Sequence, residues 1–144
     1  MKSIFTNKWV LLFLRLLIGA IFIYAGMLKI RTPQAFADSI HTFEILPPSL
    51  INLLALGLPP FEIISGMLFI LGWQKRLISF SLLVLSGLFI LALLQGLIRD
   101  LPIDCGCFGN QPPSVWKNFS VLGRDILLFL ALSFIYTQAK RESV

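Results

Sequence analysis

Trp9-Val10-Leu11-Leu12-Phe13-Leu14-Arg15-Leu16-Leu17-Ile18-Gly19-Ala20-Ile21-Phe22-Ile23-Tyr24-Ala25-Gly26-Met27-Leu28 is an apolar run broken by a single charge, Arg15. About 20 such residues cross the hydrocarbon core of a bilayer as a helix. A cleaved signal peptide would have a shorter apolar core and then a small-residue cleavage site. Here the run leads directly into Lys29 and Arg31, which predicts a retained membrane helix over 9–28.

Three further blocks, about 48–72, 77–97 and 119–137, have the same character. The chain has 144 residues, of which 57% are hydrophobic and 13% charged; its mean hydropathy is +0.87. A soluble domain would carry roughly a quarter charged residues. The expected fold is therefore an all-α integral membrane protein, a single four-helix transmembrane domain over 1–144. Its short connections leave no room for a separate soluble domain, so activity belongs to the bundle, its loops or a partner. A formal charge of +5 does not point to nucleic acid, because the basic residues gather at block ends, where they set topology. Two cysteines and one histidine are too few for a closed four-ligand zinc site.

Between the first two blocks, Thr32-Pro33 reads as an N-cap followed by proline at the first helical position. Phe36, Ile40 and Phe43 recur at helical spacing with polar residues between them, which predicts a short interfacial amphipathic helix ended by Pro47-Pro48. Pro59-Pro60 should kink the second span, with the freed carbonyls facing the bundle. Trp73 to Arg76 reads as a tight basic turn. Ser79, Ser81, Ser86 and Gly87 offer the third span small residues for close helix contact, and Trp116 suits an interfacial anchor.

Alternation of spans puts the N-terminus, the 73–76 turn and the C-terminus on one side, with Lys2, Lys8, Lys75, Arg76, Lys140 and Arg141 against one acid, Glu142. Lys29, Arg31, Arg99 and Lys117 on the other side are accompanied by Asp38, Glu44, Asp100 and Asp104. The positive-inside rule then predicts cytoplasmic termini. Both cysteines, in Leu101-Pro102-Ile103-Asp104-Cys105-Gly106-Cys107-Phe108-Gly109-Asn110, would face the oxidising compartment.

A Cys105–Cys107 disulfide would be a poor staple. Closing so small a loop removes only about 1.6 kcal/mol of unfolded-state entropy on the chain-entropy account, and ring strain offsets part of it. A strained, exposed disulfide is more oxidising and more easily exchanged. Gly106 supplies the backbone freedom such a ring demands. Arg99 or Arg124 nearby would favour the thiolate, and Asp104 would oppose it. Inert buried thiols, soft-metal binding and an idle disulfide are the competing readings; redox exchange fits the placement best.

Charges inside membrane spans are costly and mark function or a partner. Arg15 and Glu62 stand about 9 and 15 Å above the inner ends of their helices, an offset that a long arginine can bridge, so an Arg15–Glu62 pair is expected. It would fix helix register, or leave Glu62 to carry protons or line a quinone pocket. Arg124-Asp125, near the outer end of the fourth span, would tie down the loop through Asp100 or Asp104, or sit beside the thiols. His41, Tyr24 and Phe108 read as interface or packing residues.

Arg15-Leu16-Leu17-Ile18-Gly19 followed by Tyr24-Ala25-Gly26-Met27-Leu28-Lys29 resembles the first helix of the DoxX-like membrane proteins. Pro60-Phe61-Glu62-Ile63-Ile64-Ser65-Gly66, Asp104-Cys105-Gly106-Cys107-Phe108-Gly109 and Arg124-Asp125 together resemble the MauE branch, the methylamine-utilisation membrane proteins. The likeness runs from the first helix to the fourth. It implies a four-helix protein of the bacterial inner membrane, associated with disulfide chemistry and working beside a thioredoxin-like periplasmic protein. In the namesake system the family supports maturation of a disulfide-rich dehydrogenase subunit, and some DoxX-like relatives are linked to quinone-dependent sulfur oxidation. The residues that carry over are Glu62, Cys105, Cys107, Arg124 and Asp125. The plan is also similar to that of quinone-linked disulfide-forming enzymes, although this chain has neither their Cys-x-x-Cys nor their second cysteine pair.

The expected function is thiol–disulfide exchange by Cys105 and Cys107 with a thioredoxin-like or other extracytoplasmic partner, with a quinone as the one cofactor to consider. Two rivals are a non-catalytic accessory that docks a periplasmic maturation partner and a small transporter built around Glu62.

Overall fold

The computed structural model describes residues 7–42, 44–99 and 115–142. Five helices follow one another: α1 (Lys8–Arg31), α2 (Pro33–Thr42), α3 (Pro48–Leu71), α4 (Lys75–Ile98) and α5 (Val115–Glu142). Four of them, all but α2, are long and apolar enough to cross a membrane. They present large apolar side chains outward, among them Leu56, Leu91, Leu127 and Leu130, each more than 60% exposed. A water-soluble monomer does not carry so much apolar surface; a bilayer covers it. The chain is a multi-pass membrane protein with a four-helix bundle.

Local signals set the helix ends. Asn7 caps α1 by accepting the Trp9 N–H at 3.4 Å. The helix stops at Thr32 because the residue before a proline is disfavoured in the helical region. Thr32 was expected to cap α2, but its hydroxyl turns back and donates to the Leu28 carbonyl. Pro33 does open α2. That helix ends at Thr42, before Glu44, which takes a positive φ of 49°. Pro47 and Pro48 therefore do not end α2; they cap and begin α3.

Pro59 and Pro60 lie inside α3, which continues through both. Pro59 is buried and Pro60 is exposed, so only one ring faces the bundle. Gly72 (φ 78°) closes α3, its N–H on the carbonyls of Leu68 and Phe69 and the Trp73 N–H on Leu68. These are the paired bonds of a glycine-ended helix. The turn is shorter than 73–76, because Lys75 and Arg76 already belong to α4.

Two antiparallel pairs build the bundle, α1 with α3 and α4 with α5, and α2 lies on α3. Small residues bring α1 and α3 together. A Cβ on Gly19 would lie 2.9 Å from the Gly66 carbonyl oxygen, and one on Gly26 would lie 2.9 Å from that of Pro59. Seven residues apart, the two glycines share one helix face. In α4, Ser79 and Ser86 are buried as expected, but Ser81 is half-buried and donates to the Leu77 carbonyl of its own helix, and a Cβ on Gly87 would meet Phe129 at an ordinary 3.5 Å. Close backbone approach thus belongs to α1 and α3. Ile18, Phe22, Phe69, Leu82, Leu85, Leu132 and Ile135 form the apolar core from all four long helices.

Candidate functional site

Glu62 does not pair with Arg15. Its carboxylate accepts two hydrogen bonds from the Lys29 ammonium, Nζ to Oε1 at 2.7 Å and Nζ to Oε2 at 3.0 Å. The side chains of Lys29 and Glu62 are 2% and 1% exposed. The reason is directional, since helical side chains lean toward the N-terminus of their own helix. In the antiparallel pair, Lys29 on α1 and Glu62 on α3 therefore lean toward each other, whereas Arg15 leans away from Glu62. Arg15 instead donates Nε and Nη2 to the Phe69 carbonyl at 3.2 and 3.0 Å, and Nη2 to Ile70 at 3.0 Å. A cation on the last carbonyls of α3 also complements the negative end of that helix.

Aromatic rings from two other helices close over the Lys29 ammonium. Its Nζ lies 5.0 Å from the ring centre of Phe36 on α2 and 4.3 Å from that of Phe89 on α4. Both distances are within range of cation–π attraction. On α5, Asp125 is buried. Arg124 holds Asp125 through Nε at 3.1 Å and Nη2 at 2.9 Å. The buried Lys29–Glu62 pair and the part-buried Arg124–Asp125 pair thus place two cations and two carboxylates on three helices, and Phe36 and Phe89 bring in the other two.

Lys29 is the member that sequence reasoning missed, having been counted as a flanking cation at a membrane boundary. The signal was present: Gly19, Phe22, Gly26 and Lys29 follow the three-four spacing of one helix face, and all four are buried. Glu62 shares the corresponding face of α3 with Ala55, Pro59, Gly66 and Phe69.

Arg99 ends α4 with its guanidinium 3.8 Å from the Glu44 carboxylate, both largely exposed. Arg124-Asp125 pair with each other. Asp100, Pro102, Asp104, Cys105, Gly106, Cys107, Phe108 and Gly109 lie outside the described residues, as do Lys2 and Phe43; so do any contacts that they make with Arg99, Arg124 or Asp125.

In the buried Lys29–Glu62 pair each charge is satisfied by the other, and removing either would leave an uncompensated buried ion. Residues 7–137 match the model of the family described as methylamine utilisation protein MauE. The methylamine utilization protein MauE of Paracoccus denitrificans is 28% identical over 136 residues, covering 92% of this chain and 72% of that protein. No solved structure matches the chain significantly.

Proposed function

The chain belongs to the MauE family of methylamine utilisation proteins, and on that premise we propose that it is a membrane-embedded thiol–disulfide exchange protein. The observation that carries the reading is the placement of the thiols. Both cysteines of the chain stand one residue apart, in the connection between α4 and α5. Arg99 closes the helix before it, and Arg124-Asp125 lie about three turns into the helix after it.

In the exchange, a thiolate from one cysteine attacks a partner disulfide, forming a mixed disulfide and expelling a partner thiolate. The second cysteine, deprotonated, then attacks the sulfur of its neighbour. This forms the Cys105–Cys107 bond, expels the second partner thiolate and leaves the partner reduced by two electrons. Run backwards, the same steps oxidise a partner dithiol. A small, strained ring makes the oxidised pair easy to open. The proposed partner is a thioredoxin-like extracytoplasmic protein, and the proposed setting is the inner membrane of a bacterium with both termini cytoplasmic. Burial of Lys29 takes one cation from the flank opposite the termini, which widens the charge bias behind that orientation. The paired state of Glu62 supports a holding role for it over transport.

Thiol trapping in cells tests the reading. After acid quenching and alkylation, Cys105→Ser or Cys107→Ser should accumulate a mixed disulfide with an extracytoplasmic protein, lost in the double variant. A double variant that supports full partner maturation would remove the exchange role and leave the accessory role in its place.

A further inference from the structure

The two helix pairs are joined differently at the two ends of the bundle. At one end α3 passes into α4 through Gly72, Trp73 and Gln74, where Gly72 and Gln74 stand at positive φ, 78° and 40°. The apolar core shared by the four long helices lies toward that end, with Phe69 near the close of α3 and Ile78 near the opening of α4. Farther from the turn, Ile51, Ala55 and Leu93 are buried but stand outside this cluster. There two cations reach across the seam between the pairs. Lys29 of α1 places Nζ 4.3 Å from the ring centre of Phe89 on α4, and Arg99 at the end of α4 stands 3.8 Å from Glu44, in the connection between α2 and α3. We propose that the pairs part at this far end, hinging on 72–74 with the Phe89 ring as the latch, and that parting uncovers the Lys29–Glu62 pair. The inference is independent of the thiol chemistry.

Parting in this way strands no charge. Both bonds to Glu62 come from Lys29, and α1 and α3 belong to one pair, so the ion pair moves whole. It keeps the Phe36 ring at 5.0 Å; what Lys29 gives up is the face of Phe89. Glu44 and Arg99 are exposed, so each meets water when they separate. Apolar side chains that leave the seam are covered by lipid tails, which satisfy them about as well as another helix does.

The contacts near the turn confine the bend to it. Arg15 holds the Phe69 and Ile70 carbonyls and so fixes the end of α3 on α1. Phe80 and Tyr136 meet with ring centres 6.1 Å apart, which keeps the start of α4 on α5. Between these two anchors, Gly72 tolerates backbone angles that other residues resist. Gln74 is left-handed and makes no side-chain cap bond to α4, so a change in its angles breaks none. Hinges consist of a few such residues at the ends of elements.

Double electron–electron resonance on the full chain in bicelles tests the hinge, in a Cys105→Ser, Cys107→Ser background that leaves the label sites as the only thiols. Leu53→Cys on α3 with Leu91→Cys on α4, both lipid-facing, spans the far end. Phe13→Cys on α1 with Thr137→Cys on α5, both exposed, spans the turn end. The far-end labels should give a main distance and a longer minor one, and the turn-end labels a single distance. Phe89→Leu, which removes the ring and keeps an apolar side chain, should raise the long-to-short ratio about tenfold, the factor that a desolvated cation–π contact carries. Phe89→Tyr should leave the ratio within about twofold, and Glu44→Gln should raise it about twofold. A single far-end distance that Phe89→Leu does not change would overturn the hinge. Equal broadening at both ends in Phe89→Leu would show general loosening and overturn it as well. If Phe89→Leu does not fold, the wild type and Glu44→Gln decide, and a single far-end distance in both would overturn the proposal.

Discussion

Replacing Lys29 by methionine should be the most damaging single change in the bundle, and its cost can be set against that of Glu62→Gln. In wild type the ammonium satisfies both carboxylate oxygens of Glu62, at 2.7 and 3.0 Å. Without Lys29, Glu62 is left in a buried site without the ammonium that met both its oxygens. Breaking one half of a buried pair costs about 3–5 kcal/mol, and the loss of both bonds to the carboxylate places Lys29→Met in that range. Glu62→Gln leaves a cation that keeps an amide oxygen and the faces of Phe36 and Phe89, at 5.0 and 4.3 Å. Those rings contribute about 1–2 kcal/mol each in a desolvated site, so this variant should lose about 2–3 kcal/mol. Lys29→Met with Glu62→Leu removes both charges and fills the space, and it should return to within about 1 kcal/mol of wild type. The swap Lys29→Glu with Glu62→Lys should not recover, because it sets a carboxylate beneath the two rings. Unfolding free energies of the full chain in bicelles, read by steric trapping, would check the series. The reasoning fails if Glu62→Gln costs as much as Lys29→Met or more, or if the double variant shows simple additivity.

Two further changes probe the other end and the interior. Gly72→Ala should cost about 1–2 kcal/mol from its left-handed backbone alone, since φ is 78°, and more because the new Cβ meets the Arg15 guanidinium; in an Arg15→Ala background the extra part should vanish, as a double-mutant cycle of unfolding free energies would reveal. Ser79→Ala should be neutral or stabilising by up to about 1 kcal/mol by the same measurement, because the buried Ser79 hydroxyl has no hydrogen-bond partner among the described residues.

The spans were legible because length and hydropathy are one-dimensional quantities. The ends of the runs at 9–28, 48–72, 77–97 and 119–137 lie within five residues of those of the helices that form. The short helix after Thr32 was legible from Pro33 and the spacing of Phe36 and Ile40. Its end was not, because Pro47-Pro48 signals a boundary without saying whether one helix stops or the next begins there. The intramembrane pairing was half legible. Glu62 stood out as a buried acid, but its partner depended on which way side chains lean in an antiparallel pair, and on α1 and α3 being neighbours. Arg15 was the more conspicuous cation in the sequence. Lys29 was hidden by standing at the end of an apolar run, where a cation normally reaches out to the headgroups.

That concealment bears on why a buried charge pair is present at all. Gly19, Gly26 and Gly66 let α1 and α3 approach closely, yet a glycine contact has no side chain with which to resist sliding or rotation. Apolar contacts add little discrimination, because lipid tails satisfy leucine as well as another helix does. A Lys29–Glu62 bond is different, since a one-residue shift along α3 turns the carboxylate about 100° around the helix and strands both charges in hydrocarbon. Phe36 and Phe89 over the ammonium extend the same condition to α2 and α4. The charges thus contribute selectivity more than net stability: they make one arrangement of the helices acceptable and its near neighbours costly. Because α4 bears one end of the cysteine connection, fixing its register also fixes the point from which that connection departs.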